Sequence, residues 1–182
     1  MIAFMNTGIF LDRDGVINEV LSDRVKFVNG PDDLYLLEGV GEAIKLFNDQ
    51  DYKVFVVTNQ GGVGLGFMEE TALQEVHIKM GADLAEFGAI IDDIAYCPHK
   101  PKAGCACRKP QPQMILELAE KHDIDISKSY MIGDREPDIE AGKGAGVKTI
   151  LVGDRKEEQA EADMYFPDLL AFANWLVETA NE

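Results

Sequence analysis

Only three cysteines, one tryptophan and three histidines occur among the 182 residues, and no apolar run reaches membrane-spanning length, which takes about 18 residues or more. Basic side chains are also scarce, 17 against 33 acidic ones, for a formal net charge of −16. That charge excludes a sequence-independent grip on nucleic acid or an anionic membrane, so an anionic substrate has to be captured by local features. The odd number of cysteines, all within residues 97–107, excludes a disulfide framework and agrees with a reducing compartment. The opening "MIAFMNTGIFL" lacks a basic region and a small-residue cleavage site, so it reads as a first strand and a cytoplasmic location is expected. With no repeat, low-complexity tract or linker, residues 1–182 are expected to form one domain, large enough to bury a core without staples.

What is present is alternation. Apolar, β-branched or aromatic runs at 8–11, 53–58, 90–97, 129–133, 148–153 and 162–166 predict strands. Between them, segments 39–50, 69–88, 111–123, 137–146 and 167–180 carry apolar residues three and four apart and predict helices. Pro112, Pro137 and Pro167 suit first helical turns. Alternating strands and helices, with strands apolar on both faces, point to an α/β fold with a doubly wound parallel sheet. Ligands of such sheets sit beyond the carboxyl ends of the strands.

The chemistry is gathered at those ends. The first strand runs into "DRDGVIN", presenting Asp12 and Asp14 before a turn that Gly15 permits; the second runs into Thr58, Asn59 and Gln60 and a glycine run whose amides could face an anion. The fourth ends in "GDREPD", with Asp134 and Asp138, and Lys109 stands just before the third helix. One D-x-D means little in a chain with 33 acids. Carboxylates, a hydroxyl and an ammonium at one sheet edge, however, suit a magnesium ion held against a phosphoryl group.

"DRDGVIN", "VVTNQGG", "CRKPQP" and "GDREPD" resemble, in order, the four motifs of the haloacid dehalogenase superfamily of aspartyl-nucleophile phosphatases. The resemblance implies that Asp12 takes the phosphoryl group, that Asp14 protonates the leaving oxygen and then activates water, and that Thr58 and Lys109 steady the transferring group. It further implies magnesium on Asp12, Asp14 (through its carbonyl) and Asp134, with Asp138 in support.

Cys97-x-His99 and Cys105-x-Cys107 offer three thiolates and an imidazole, the closed donor set of structural zinc. The cluster lies where the superfamily often inserts a cap domain, but residues 61–109 leave room only for one helix, one strand and this bracket, so the protein is expected to be capless. Zinc would then aim Arg108 and Lys109 into the site. This combination resembles the heptose 1,7-bisphosphate phosphatases and, more distantly, the histidinol-phosphate phosphatases. On that resemblance Val20, Leu21, Ser22, Asp23, Thr58, Asn59, Gln60, Gly61, Arg108, Lys109 and Arg135 line the substrate pocket. The sequence departs from the heptose pattern at Leu65, at Arg135 and in the short stretch between His99 and Cys105, all on the substrate side.

The expected substrate is therefore a small sugar phosphate, with histidinol phosphate or another small phosphomonoester as the alternative, and the chain is expected to be a monomer or weak homo-oligomer. A phospho-acceptor receiver and a zinc interaction module are readings from other classes; Asp14 argues against the first, because it supplies the base that discharges a phosphoaspartate. His77 and His122 are expected at the surface or in packing, Phe172 and Trp175 in the core or at an oligomer contact, 154–163 on a solvated face, and the glycines of 141–146 at a helix end.

Overall fold

In a computed structural model, residues 5–153 and 160–182 are described; the first residues of the opening segment and 154–159 of the acidic run lie outside them. Six strands, β1 (Thr7–Leu11), β2 (Tyr52–Asn59), β3 (Asp93–Cys97), β4 (Tyr130–Gly133), β5 (Lys148–Val152) and β6 (Met164–Phe166), alternate with five helices, α1 (Val40–Asp49), α2 (Glu70–Ala85), α3 (Gln113–Lys121), α4 (Glu136–Ala145) and α5 (Leu169–Ala180). The strands form one sheet in the order β3-β2-β1-β4-β5-β6, every pair parallel.

Strand periodicity sorts the core into two layers. Ile9, Leu11, Val54 and Val56 meet α1, α2 and α5, whereas Phe10, Phe55 and Val57 meet α3 and α4 on the opposite face. From β1 the chain steps outward through β2 to β3, and from β4 it steps the other way to β5. Crossovers of one hand moving in opposite directions place their helices on opposite faces. The reversal opens a crevice between the carboxyl ends of β1 and β4, the place where such sheets take ligands. Among the described residues, 60–92 contain only α2 and loops, and 98–112 only a loop, so no cap domain covers that edge.

Several boundaries differ from expectation for local reasons. β3 begins at Asp93 rather than 90, because Asn48 accepts from the Ile90 N–H at 2.9 Å and donates to its carbonyl at 3.1 Å, turning the chain there. Asp168 caps α5 by accepting from Ala171 N at 2.8 Å, which leaves Pro167 outside the helix; Pro112 is the N-cap of α3, and only Pro137 stands in a first turn. Of the glycines at 141–146, Gly146 ends α4 at φ 90°, whereas Gly142 lets the helix approach β5: a Cβ there would lie 2.7 Å from Thr149. Asp163 accepts from the Thr149 N–H at 2.8 Å and is tied to the sheet rather than simply solvated. Phe172 is fully buried, with Trp175 stacked on it. No helix of the described residues is long and apolar enough to cross a membrane.

Candidate active site

Asp12 follows β1 directly, and its carboxylate is buried beneath the crevice. Lys109 Nζ donates to Asp12 Oδ1 at 2.8 Å, to Asp138 Oδ1 at 2.6 Å and to the Val57 carbonyl at 2.8 Å. The other Asp138 oxygen accepts the backbone N–H groups of Asp134 and Arg135, each at 3.2 Å, so Asp138 braces the start of α4 while holding the lysine. Burial would lower the Lys109 ammonium, but Asp12 and Asp138 outweigh it and hold the proton more tightly than usual. Asp12 bears the consequence of one ammonium among several carboxylates. Burial, then the charges of Asp138 and Asp134, push its carboxyl well above the ordinary range despite Lys109.

Donor atoms of Asp12, Asp134 and Asp138 lie within 4.8 Å of one another, all three residues buried. Three carboxylates against one ammonium leave two negative charges in excess, and hard oxygen donors of this kind fit a divalent cation. Gly15 closes the cradle: it adopts φ 89°, and a Cβ would lie 2.2 Å from Asp134 Oδ2, so the turn after Asp14 runs directly alongside that carboxylate.

Asp14 is turned another way. Its Oδ1 accepts from Arg13 Nη2 at 2.9 Å, Arg13 Nε at 3.2 Å and Asn18 Nδ2 at 3.0 Å, and its Oδ2 accepts from Gln60 Nε2 at 3.2 Å. Burial raises its pKa, but the Arg13 guanidinium and these donors prevail and lower it. Arg13, between the two aspartates, points into the protein and is completely buried. Sequence reading passed over it, because an arginine in a turn is ordinarily solvated; the alternation that aims Asp12 and Asp14 outward was the available signal.

A cavity of about 620 Å³ opens above these groups. Val20, Leu21, Asn59, Gln60, Gly61, Arg108, Lys109 and Arg135, which the resemblance places at the substrate, line it together with Asp12, Asp14, Asp134 and Asp138. Ser22 and Asp23 do not: both are exposed, and Ser22 faces a neighbouring depression with Glu19 and Val20. Thr58 is buried behind the wall, its Oγ1 accepting from Gln60 Nε2 at 2.8 Å. Gly64 and Gly66 donate their amides to the Pro98 and Val63 carbonyls, leaving Gly61 and Gly62 as the glycines of this run on the wall. Sequence reading placed Leu21 and Leu65 on the substrate side but missed Phe27 and Phe67, and so the apolar mouth that the four form. Leu21, Phe27, Leu65 and Phe67 line the cavity, each more than half exposed, and clustered exposed hydrophobes mark a binding surface rather than a solvated one.

The cysteine loop stands beside the cavity. Cys97 Sγ lies 3.3 Å from His99 Nδ1, 3.6 Å from Cys105 Sγ and 2.7 Å from Cys107 Sγ, with His99 Nδ1 3.2 Å from Cys107 Sγ. A tetrahedral zinc would set sulfur atoms about 3.8 Å apart and sulfur and nitrogen about 3.5 Å apart, so the set fits once Cys97 and Cys107 separate by about 1 Å. Burial and its two neighbouring cysteines push the Cys107 thiol up to about 12, and a bound cation would favour the thiolate instead. The loop is fixed to the active edge by Gly64 N donating to the Pro98 carbonyl at 2.8 Å, and Arg108 Nη1 reaches the His99 carbonyl at 3.4 Å. His122 packs away from this edge, 2.7 Å from Asp93 and against Phe55.

Residues 106–174 match the HAD-hydrolase-like family. The chain is 36% identical over 179 residues, 94% of its length and 98% of the relative, to the D-glycero-beta-D-manno-heptose-1,7-bisphosphate 7-phosphatase of Bordetella bronchiseptica. It is 40% identical over 76% of its length and 78% of the relative to the enzyme of the same name from Rhodopseudomonas palustris. A crystal structure of the B. bronchiseptica D,D-heptose 1,7-bisphosphate phosphatase, complexed with magnesium and phosphate, superposes with a TM-score of 0.88 over 95% of this chain and 99% of that one, at 37% identity. The Burkholderia thailandensis phosphatase gives 0.71 at 31% identity over 94% and 99% of the two chains. With relatives of this similarity over nearly their whole length, the chain belongs to the HAD-superfamily phosphatases, in the heptose-bisphosphate phosphatase family.

Proposed function

We propose that this phosphatase removes the 7-phosphate of D-glycero-D-manno-heptose 1,7-bisphosphate, leaving the 1-phosphate, with Asp12 as nucleophile. The observation that carries the mechanism is the Asp12 carboxylate fixed by Lys109 at the floor of a cavity, beside Asp134 and Asp138. The names of the relatives support the sugar.

Asp12 Oδ attacks phosphorus as the bond to the sugar oxygen breaks, and Asp14 delivers its proton to that oxygen. Asp14 then takes a proton from water, which attacks the same phosphorus and returns the Asp12 carboxylate with orthophosphate. A bound phosphate dianion offsets the charge of Arg13 and lets Asp14 carry the proton that the first step needs. Lys109 counters the negative charge shared by nucleophile and substrate. Asp12, the Asp14 carbonyl and Asp134 would hold magnesium, which when bound neutralises phosphoryl charge, while Asp138 supports Lys109. Zinc on Cys97, His99, Cys105 and Cys107 would be structural. Arg108 and Arg135 suit the second phosphate, and Thr58 acts on the site by orienting Gln60.

Phosphate release with magnesium, comparing heptose 1,7-bisphosphate, histidinol phosphate and a generic monoester, tests the substrate. A preference of about 100-fold in kcat/KM for the bisphosphate is expected. Equal turnover of all three overturns the sugar assignment, and preference for histidinol phosphate replaces it.

A further inference from the structure

We propose that His77, on α2, is a positioning residue for the proton transfers of Asp14, acting through the buried guanidinium of Arg13. The inference rests on the reading of Asp14 as general acid and base.

Arg13 has no solvent exposure. Its Nε and Nη2 face Asp14 Oδ1, Nη2 also lies 3.3 Å from Gln60 Oε1, and Nη1 lies 3.1 Å from His77 Nε2. Neither Arg13 nor His77 lines the cavity, and Nη1 of a fully buried guanidinium requires an acceptor. His77 supplies one with its ring neutral and Nε2 unprotonated. That ring is fixed in turn: it packs 6.0 Å from the Tyr96 ring, whose hydroxyl donates to Glu70 Oε1 at 2.6 Å. His77, Arg13 and Asp14 therefore form a chain from α2 to the carboxylate that moves the proton, with Gln60 bonded to both Arg13 and Asp14.

Without the acceptor on α2, Nη1 is left buried without that partner while Asp14 and Gln60 hold only the Nε and Nη2 side, which favours rotation of the guanidinium away from its side-on approach to Asp14 Oδ1. Asp14 is the more exposed partner, with its side chain 29% accessible, and can follow any rotation of Arg13. A small error in its direction affects both proton transfers, but in kcat/KM, which reports the steps up to the first phosphoryl transfer, it matters where the leaving oxygen needs a proton. His77 is absent from the cavity wall, so a substitution there leaves the surface that substrate touches unchanged.

The test is kcat/KM of the full chain, with magnesium, for a sugar phosphate, whose alkoxide must be protonated, and for p-nitrophenyl phosphate, whose leaving group needs no proton. His77→Met should lose about 10-fold on the sugar phosphate and less than about 2-fold on p-nitrophenyl phosphate. His77→Gln, whose Oε1 can accept from Arg13, should restore most of the loss. Asp14→Asn, in the same assay, tests the underlying reading and should show the same selectivity more strongly. Equal losses on both substrates in Asp14→Asn overturn that reading, whereas selectivity in Asp14→Asn and none in His77→Met overturns the proposal alone. His77→Ser serves as a second removal if the methionine variant does not fold. If neither folds, or both lose the two substrates equally, His77 only supports the fold and the proposal is wrong.

Discussion

The Asn59 side chain holds both backbone polar groups of Lys109: Asn59 Oδ1 accepts from Lys109 N at 2.9 Å, and Asn59 Nδ2 donates to Lys109 O at 3.1 Å. The last residue of β2 thus sets the height at which the ammonium reaches Asp12. Asn59→Ala should lower kcat about 10-fold or more and stability by about 2 kcal/mol. Asn59→Asp can still accept the N–H but sets a carboxylate oxygen against the Lys109 carbonyl, so its loss in stability, read by urea denaturation, should match or exceed that of the alanine variant.

Asp12→Asn should abolish turnover without unfolding the chain, since it keeps the size and hydrogen-bonding reach of the side chain and removes only its nucleophilic charge. Steady-state turnover and thermal melting are the paired measurements. Activity of wild-type order in this variant would remove Asp12 from the mechanism.

Lys109→Met leaves the three neighbouring carboxylates without their ammonium. At neutral pH in chelator it should be destabilised by about 3 kcal/mol or more. Added magnesium should return part of that loss by supplying positive charge to the same carboxylates. Melting curves with and without magnesium distinguish this from a cavity effect, which the ion would leave untouched.

Cys107→Ala should retain less than one zinc per chain and melt on the order of 10 °C lower, with activity falling in consequence. Metal analysis of the purified variant and of the wild-type chain after chelation is the check. A full zinc complement in Cys107→Ala would refute the ligand set.

His77 gives the fold a pH dependence. Burial, and then the adjacent Arg13 charge, bring its pKa down to about 4 from an ordinary 6.5. The unfolded chain takes up the proton first as pH falls, so the contribution is complete above about 6.5 and is lost as pH drops towards 4, on the order of 3 kcal/mol in all. His77→Gln should flatten this slope in urea titrations between those pH values.

Phe67→Ala tests the apolar mouth. Truncating this exposed ring removes apolar surface from the cavity mouth and should raise KM for the sugar phosphate about 5-fold, while inhibition by orthophosphate stays unchanged. Equal weakening of both would mean that Phe67 shapes the floor instead.

The sheet was legible in local pattern, because strands buried on both faces must be apolar throughout and β1, β2, β4 and β5 carry that pattern in a few contiguous residues. The acidic residues at the strand ends were legible too, since Asp12 and Asp134 each follow a strand directly, and so was the donor cluster, since its four residues lie between the end of β3 and the loop that follows it. Which groups answer each other across the chain follows from the packed fold instead. Asn59 meets Lys109 fifty residues away, and Arg13 meets His77 sixty-four away. Those meetings depend on strand register and helix placement, which no local pattern encodes. Thr58 shows the same limit, because a strand-end hydroxyl reads alike whether it faces substrate or, as here, a neighbouring glutamine. So does the apolar mouth: Leu21, Phe27, Leu65 and Phe67 come from two separate loops, and only the fold brings them around one opening.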